Sequence, residues 1–359
     1  METKKKIGMI FPGQGAQHLG MGKELYDKHR IVQEHFEQAS SCLDTNFVRL
    51  CFASSDKELK ETVNAQTSIF LVGASIFSLL KEKYSIVPDI VAGHSSGEFT
   101  AIFAAGGMTF PDALYLLKKR AMFMEESTKQ HPGTMLAVLG IPHDELQEIC
   151  ARYDKPESTD QVAQVVNYNS TTQLVVSGTR ETLQLVSDDV KACGGKAIVL
   201  NVDGAFHSRL MGDAAKQFAV YMVKVDFKDL SAPLVNNITA KVVKKNNQIK
   251  ESLEKQMNSA VQWWPSMQKL KACDVIIEIG PGSVYSKMLQ REWPKKEIIS
   301  INTEADIEKL LLLLGKSVAR HICDAECELH ECAQDALVLC NHDEQAQPLQ
   351  EPKEQDTPT

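Results

Sequence analysis

The sequence has no apolar run long enough to cross a bilayer. The longest stretch, IFLVGASIFSLL at residues 69–80, has twelve residues, whereas a membrane-spanning helix needs about 20. The apolar run at residues 8–11 is far shorter than a secretion signal requires, because Pro12 and Gly13 follow it at once. We therefore expect no membrane association and a cytoplasmic location.

A disulfide framework is absent from the sequence. The nine cysteines are an odd number at wide spacing, which favours a reduced protein over a disulfide scaffold. Several of them lie near histidines towards the C-terminus, but their spacing fits no zinc template, and incidental thiols explain them better. We therefore assign no metal. The cysteines and histidines concerned are Cys323, Cys327, Cys332, Cys340, His321, His330 and His342.

An excess of basic residues is absent as well. The chain has 39 Lys and Arg against 47 Asp and Glu, for a net charge of −8. Ten of the acids and two of the bases fall in residues 318–359, so the body of the chain is neutral. That balance argues against a nucleic-acid partner. Residues 343–359 are polar and contain three prolines, and we predict an acidic, partly disordered tail over residues 318–359.

Two glycine-containing loops fall short of nucleotide-binding motifs. Gly13-Gln14-Gly15 lacks the third glycine of a dinucleotide loop, because His18 occupies that place. Gly315-Lys316-Ser317 ends like a phosphate-binding loop, but Leu310 stands where the first glycine is required. No nucleotide cofactor is predicted.

The composition is that of a globular protein, with 43% apolar and 24% charged residues in a chain of 359. Apolar runs followed by glycine-rich loops predict buried strands. We predict strands over residues 5–11 and 86–92, and helices over residues 98–105 and 110–126. The alternation of strands and helices predicts an α/β fold.

Residues 134–202 have a pattern of their own. Their predicted order of strand, helix, strand, strand, helix, strand is that of a ferredoxin-like unit. We therefore predict a small subdomain, residues 133–202, inserted into a large subdomain made of residues 1–132 and 203–317. The predicted strands are residues 134–141, 161–169, 173–178 and 196–202, and the helices are residues 144–153 and 180–193.

Gly93-His94-Ser95-Ser96-Gly97 matches G-x-S-x-G between a predicted strand and a predicted helix. In that context the glycines permit a sharp turn that exposes a serine hydroxyl, and the following backbone N–H and helix N-terminus favour negative charge. Ser95 is therefore the candidate nucleophile. The alternative is a glycine-rich turn with an incidental serine.

A serine nucleophile needs a base, and the chain has ten histidines. His207 follows the last predicted strand of the small subdomain, where the chain returns to the large one, and it is the candidate base. By position alone, a histidine is more often a surface or capping residue than a catalytic one. His94 adjoins Ser95, but neighbouring side chains on a tight turn point apart.

Several separate motifs, in this order, resemble the malonyl-CoA:acyl-carrier-protein transacylases, both the stand-alone fatty-acid enzymes and the discrete acyltransferases of polyketide synthases. The resemblance extends over about residues 7–314. Its motifs are Phe11-Pro12-Gly13-Gln14-Gly15, Gly93-His94-Ser95-Ser96-Gly97-Glu98, Arg120 followed by Met122, Asn167-Tyr168-Asn169-Ser170, Gly204-Ala205-Phe206-His207-Ser208, Val261-Gln262-Trp263 and Gly280-Pro281-Gly282.

The resemblance implies an α/β-hydrolase-like large subdomain with a ferredoxin-like insert. It also implies that Ser95 is acylated, that His207 is the general base, and that the backbone N–H groups of Gln14 and Ser96 form the oxyanion hole. The main-chain carbonyl of Gln256 would orient the histidine, although Asn258-Ser259-Ala260 departs from the family's Asn-Pro pattern there.

Arg120 is the selectivity residue that the resemblance implies. A guanidinium can hold the free carboxylate of a malonyl group through two parallel hydrogen bonds. Without the resemblance, Lys118-Lys119-Arg120 would be interpreted as a solvated basic helix face. Phe206 would crowd an α-methyl group and so favour malonyl. Ser96 replaces an apolar residue of the family, which leaves its backbone N–H unchanged but makes the pocket more polar.

We therefore expect a monomeric transferase that moves a malonyl group from malonyl-CoA to the phosphopantetheine thiol of an acyl carrier protein through a malonyl-serine, in polyketide or fatty-acid synthesis. No cofactor is implied. One alternative is an acyl hydrolase of the same fold acting on carrier-bound acyl chains, although such relatives tend to lack the arginine. Another is an inactive scaffold whose tail recruits a partner. Lys244, Lys245 and Lys250 are candidates for carrier docking, although a solvated loop explains them equally well.

Overall fold

The computed structural model describes residues 4–316. The predicted tail, with its cysteines and histidines, lies outside the described residues. One compact unit extends to Asp306, and a second begins at Ile307. The strands are β1 (Ile7–Phe11), β2 (Ile90–Gly93), β3 (Thr134–Leu139), β4 (Ala163–Tyr168), β5 (Gln173–Gly178), β6 (Lys196–Val199), β7 (Leu234–Val235), β8 (Val242–Val243), β9 (Val275–Ile279) and β10 (Glu297–Ile301).

The helices alternate with these strands along much of the chain. They are α1 (Lys23–Lys28), α2 (Arg30–Leu43), α3 (Phe47–Ala53), α4 (Asp56–Lys60), α5 (Thr62–Tyr84), α6 (Gly97–Ala104), α7 (Phe110–Gln130), α8 (His143–Tyr153), α9 (Arg180–Ala192), α10 (Gly212–Met222), α11 (Asn246–Gln256), α12 (Trp263–Leu270), α13 (Val284–Glu292) and α14 (Glu304–Leu313). The predicted mixed α/β fold is confirmed.

The larger sheet has six strands in the order β10-β9-β1-β2-β7-β8. The neighbours from β10 to β7 pair in parallel, and β8 runs antiparallel to β7. Every residue of β1, β2 and β9 is buried, as in parallel strands covered on both faces. The carboxyl ends of parallel strands meet at one edge of a sheet. At that edge, the loops after β1, β2 and β7 carry Gln14, Ser95 and Asn237.

The smaller sheet is antiparallel, with strand order β4-β5-β3-β6. Together with α8 and α9 it has the element order that the sequence predicts for this part of the chain. Apolar side chains of the two helices, such as Ile149 and Val186, share one buried cluster with Leu136 of β3 and Val176 of β5. The helices therefore cover one face of this sheet.

The last strand of the smaller sheet is shorter than predicted. β6 ends at Val199 instead of residue 202. The N–H of Leu200 still donates to the carbonyl of Met135, but the N–H of Val202 then donates back to Leu200 and the chain turns. The prediction that His207 directly follows the strand is therefore wrong, because a loop precedes it.

Among the helices of the described chain, α5 alone is both long enough and apolar enough to meet the criteria for a membrane span. Its length and composition would allow it to cross a bilayer, but 89% of its most apolar window is buried inside the protein. It packs against α2, α6 and α7. The core of a globular protein accounts for such a helix.

Helix α7 begins at a capped N-terminus, where the Thr109 hydroxyl accepts the N–H of Asp112 and Pro111 occupies the first turn. Its buried residues recur every three or four positions, as in a helix with one face in the core. Arg120 lies on that buried stripe, between Leu117 and Met124. The solvated basic face is therefore excluded for Arg120.

Candidate active site

The turn between β2 and α6 holds Ser95 in a strained backbone conformation. Ser95 has φ +52°, a left-handed conformation that costs a residue other than glycine about 1–3 kcal/mol unless its surroundings impose it. The side chain of Asn237 braces the turn from both sides. Its Oδ1 accepts the N–H of Ser95 at 2.7 Å, and its Nδ2 donates to the carbonyl of Gly93 at 2.6 Å.

Two glycines let the loop after β1 pack directly on this turn. A Cβ at Gly97 would lie 2.3 Å from the carbonyl oxygen of Phe11, and one at Gly13 would lie 2.3 Å from that of His94. Neither glycine has a positive φ. They are needed for the close approach of two backbones, which brings the Gln14 loop against the Ser95 turn.

The side chains of Ser95 and His207 are in hydrogen-bond contact. The Oγ of Ser95 lies 2.7 Å from Nε2 of His207, and Nδ1 of His207 lies 3.0 Å from the main-chain carbonyl of Gln256. A carbonyl oxygen only accepts, so Nδ1 carries the proton and Nε2 is left to accept the hydroxyl proton of Ser95. His207 also has a left-handed backbone, with φ +64°.

The two histidines nearest the nucleophile differ in their roles. Burial and the charge of Arg120 lower the pKa of His207 to about 3, so its ring is neutral at pH 7 and able to accept a proton. His94 points away from Ser95: its Nε2 lies 3.1 Å from Oδ1 of Asn169, and its ring stacks on Tyr285. Burial lowers the pKa of His94 to about 4. His94 therefore packs the core behind the turn.

Arg120 is 1% exposed and reaches the nucleophile from α7. Its Nη2 donates to Oγ of Ser95 and to Oε1 of Gln256, both at 3.0 Å. Its Nη1 donates to Oε1 of Gln66 at 2.8 Å and to the sulfur of Met124 at 3.1 Å. All of these acceptors are uncharged. Burial lowers the pKa of Arg120 to about 10, with partial compensation from the charge of Glu98, and the guanidinium stays protonated at pH 7.

Glu98 is a second buried charged group at this site. It lies in the first turn of α6 and is fully buried. Its Oε1 accepts the backbone N–H of Asn237 at 3.0 Å, and its Oε2 accepts Nε2 of Gln256 at 2.5 Å. Glu98 thus connects the residue that braces the Ser95 turn to the residue that contacts both His207 and Arg120.

A cavity of about 710 Å³ opens beside the site. Gln14 and Phe206 line it, as do the basic residues Lys57, Lys60 and Lys129. Within residues 4–316, the backbone N–H groups of Gln14 and Ser96 have no hydrogen-bond partner. The Ser96 hydroxyl is also buried without a partner in this part of the chain.

The structure brings Ser95, His207, Gln256 and Arg120 into one hydrogen-bonded cluster, and it places Gln14 and Phe206 at the adjoining cavity. Three further residues belong to this cluster but have no predicted role: Gln66, Glu98 and Asn237. Each of these three residues has a feature in the sequence that could have indicated a role at the site. Gln66 is polar within an apolar helix, Glu98 ends the glycine–serine motif, and Asn237 follows a strand at the edge where Ser95 lies.

The fold and the site together define an α/β protein in which a serine on a strand–helix turn contacts a neutral histidine. The model of the acyl transferase domain family matches residues 9–309. The chain therefore belongs to the acyl transferase domain family.

Named relatives agree with this assignment. The chain is 37% identical over 306 residues to the malonyl CoA-acyl carrier protein transacylase of Bacillus subtilis, covering 84% of this chain and 95% of the relative. The transacylase structure of Coxiella burnetii matches with a TM-score of 0.83 at 30% identity, over 87% of this chain and 98% of that one. A malonyl-transacylase in complex with a type II polyketide synthase acyl-carrier protein matches with a TM-score of 0.79 at 29% identity, over 84% and 97%.

Proposed function

We propose that this protein transfers a malonyl group from malonyl-CoA to the phosphopantetheine thiol of an acyl carrier protein. The observation that carries the proposal is the buried Arg120 guanidinium, which lies 3.0 Å from the nucleophile oxygen and whose hydrogen-bond partners among residues 4–316 are all uncharged. A substrate carboxylate can replace those acceptors and supply the missing negative charge. Malonyl-CoA carries such a carboxylate two bonds from its thioester carbonyl.

In the first half-reaction, Oγ of Ser95 attacks the thioester carbonyl while Nε2 of His207 takes the hydroxyl proton. The carbonyl oxygen becomes an oxyanion that the free N–H groups of Gln14 and Ser96 stabilise, each contributing about 10²–10³ in rate. The carbon–sulfur bond then breaks, and His207 returns the proton to the CoA thiolate. The products are malonyl-Ser95 and CoA.

The second half-reaction reverses these roles. The pantetheine thiol of the carrier protein gives its proton to His207 and attacks the ester carbonyl of malonyl-Ser95. Collapse of the second tetrahedral intermediate releases Oγ of Ser95, which recovers the proton. The Gln256 carbonyl keeps Nδ1–H of His207 fixed throughout, so Nε2 alone exchanges protons with the serine and the thiols.

The same residues provide selectivity for the acyl group. An acetyl group leaves the Arg120 charge uncompensated, and a methylmalonyl group would meet the ring of Phe206, which is 7% exposed at the cavity wall. We assign the larger sheet to an α/β-hydrolase-like subdomain and the smaller sheet to a ferredoxin-like insert. The strand order β4-β5-β3-β6 supports the second assignment.

The carrier protein belongs to polyketide or fatty-acid synthesis in this proposal. The relative that was solved with a type II polyketide synthase acyl-carrier protein supports a carrier partner of that kind. Lys244, Lys245 and Lys250, near the start of α11, remain candidates for carrier docking. Helix α11 has 11 residues, is about 16 Å long and ends at Gln256. A carrier protein bound at its first turn would therefore sit well away from Ser95.

The test is intact-mass spectrometry of the full chain mixed with malonyl-CoA or, separately, with acetyl-CoA. We expect a malonyl adduct that maps to Ser95, forms far less with acetyl-CoA, and moves to an added phosphopantetheinylated carrier protein. Ser95→Ala should form no adduct. Release of the acyl group to water alone would contradict the proposal and favour the acyl hydrolase.

A further inference from the structure

The carboxylate of Glu98 has two donors at opposite ends, and neither half-reaction uses it. The Asn237 backbone N–H reaches one oxygen, and the Gln256 side-chain amide reaches the other. An amide in place of Glu98 would offer one oxygen and one NH₂ group, so one of the two N–H donors would face another donor. A carboxylate is therefore the group that satisfies both ends at once.

Gln256 connects this carboxylate to the guanidinium. Its Nε2 donates to Glu98 and, at 3.0 Å, to the carbonyl of Ser95, while its Oε1 accepts from Arg120. The reversed amide would point NH₂ at the guanidinium and its oxygen at two acceptors. Glu98 and the Ser95 carbonyl thus fix which end of the Gln256 amide faces Arg120.

We infer that Glu98 is a positioning residue for acyl selectivity: its negative charge orients the Gln256 amide, and the Gln256 oxygen then holds the Arg120 guanidinium beside Oγ of Ser95. Glu98 does not touch the substrate. It acts through the Gln256 side chain and keeps the Arg120 guanidinium in place when no substrate carboxylate is bound. This inference rests on the proposed function, because it concerns the selectivity of the same site.

Glu98→Gln is the primary test, because it keeps the shape and removes the charge. We expect kcat/KM for malonyl-CoA to fall about 10- to 100-fold, the effect of losing one hydrogen bond to a charged group. The residual rate with acetyl-CoA should change less than about 3-fold, so that the malonyl preference shrinks. Equal losses with both substrates would overturn the inference.

Gln256→Ala tests the route through the side chain. The main-chain carbonyl that contacts His207 remains in this variant, while the link between Glu98 and Arg120 is removed. We expect the same loss of malonyl preference, and we expect the double variant with Glu98→Gln to be no worse than either single variant. Losses that simply multiply would contradict a shared route. This variant also decides the question if Glu98→Gln does not fold.

Glu278→Gln is the matched control for the loss of a buried carboxylate. Glu278 is fully buried in β9 and accepts the backbone N–H groups of Tyr285 and Ser286 at 3.1 and 2.8 Å. We expect this variant to lower thermal stability and to keep the malonyl preference. A similar loss of preference in both variants would assign the effect to stability and overturn the inference.

The pH profile provides a readout that a purely structural role would not change. Burial raises the pKa of Glu98 to about 7, although its hydrogen bonds and the charge of Arg120 act to lower it. The neighbouring groups do not titrate near pH 7, because His207 and His94 stay neutral down to about pH 4 and Arg120 stays charged. Protonation removes an acceptor, so the wild-type malonyl preference should fall as the pH drops through 7. Glu98→Gln should show no such fall, and the same fall in that variant would contradict the inference.

The acylation assay on the wild-type protein distinguishes failure of the proposed function from failure of the inference about Glu98. If it forms no malonyl adduct, the proposed function is wrong and the inference falls with it. If it forms the adduct and the malonyl preference survives in Glu98→Gln and Gln256→Ala, the inference alone is wrong.

Discussion

Two arginines in this molecule have opposite surroundings. Arg209 follows His207 by two residues and donates to both oxygens of Asp154, at 2.7 and 2.9 Å, and to the carbonyls of Lys155, Ser158 and Gln161. Arg120 is more deeply buried, yet within residues 4–316 it forms no ion pair with a carboxylate.

This is the difference that we expect between an arginine that stabilises the fold and one that, in the proposed function, binds the substrate. Arg209 ties the loop between α8 and β4 to the segment that carries His207, and its charge is satisfied within the protein. Burial of Arg120 costs free energy that uncharged acceptors recover only in part. In the proposed function, the carboxylate of an anionic substrate supplies the compensation that the uncharged acceptors and the charge of Glu98 leave incomplete.

Replacement of Arg120 should have the largest effect on activity. Arg120→Met keeps most of the volume and removes the charge, and we expect kcat/KM for malonyl-CoA to fall by a factor of about 10² to 4 × 10³, because removing one partner of a buried ion pair costs about 3–5 kcal/mol. The free energy of unfolding should change by less than about 1 kcal/mol, since the cost of burying the guanidinium, which Glu98 compensates only in part, is removed together with its hydrogen bonds. Acylation assays and urea unfolding measure the two effects. A variant that still prefers malonyl over acetyl would contradict the role of Arg120.

Replacement of Arg209 by Met should instead lower the stability of the fold and leave the malonyl preference unchanged. Arg209→Met leaves Asp154 without its cation, and we expect a loss of about 2–3 kcal/mol in the free energy of unfolding, below the range for fully buried pairs because the two side chains are 24% and 17% exposed. The malonyl preference should stay within about 2-fold of wild type, measured on protein that is still folded. If Arg209→Met abolished the preference and left stability intact, the comparison of the two arginines would fail.

Strands with a clean local pattern were predictable to the residue, and others were not. β5 has the predicted bounds, because apolar residues bounded by turn residues define both of its ends. β2 begins at Ile90 instead of residue 86, since Pro88 has no N–H to donate to a neighbouring strand. Six helices were not predicted: α3, α4, α11, α12, α13 and α14.

The candidate site was predictable only in part. The turn of Ser95 is local, and its motif is readable from five consecutive residues. The contacts of Glu98 with Asn237 and Gln256 join residues 139 and 158 positions apart, and no local pattern in one sequence specifies them. Position along the chain suggested His207, and the resemblance added Arg120 and the Gln256 carbonyl but not the hydrogen bonds of the Gln256 side chain.

The smallest effects should come from the two lysines beside Arg120 in sequence. Lys118 donates to the carbonyl of Leu43, and Lys119 lies over the ring of Tyr221, with its nitrogen 4.9 Å from the ring centre. We expect Lys118→Met and Lys119→Met to change kcat/KM for malonyl-CoA by less than about 2-fold and stability by less than about 1 kcal/mol. If the positive charge of this segment acted by long-range attraction of the anionic substrate, these variants would lose activity and the loss would vanish at high salt. A salt-independent effect confined to Arg120→Met would instead assign malonyl selectivity to Arg120, the buried basic residue of the Lys118-Lys119-Arg120 run.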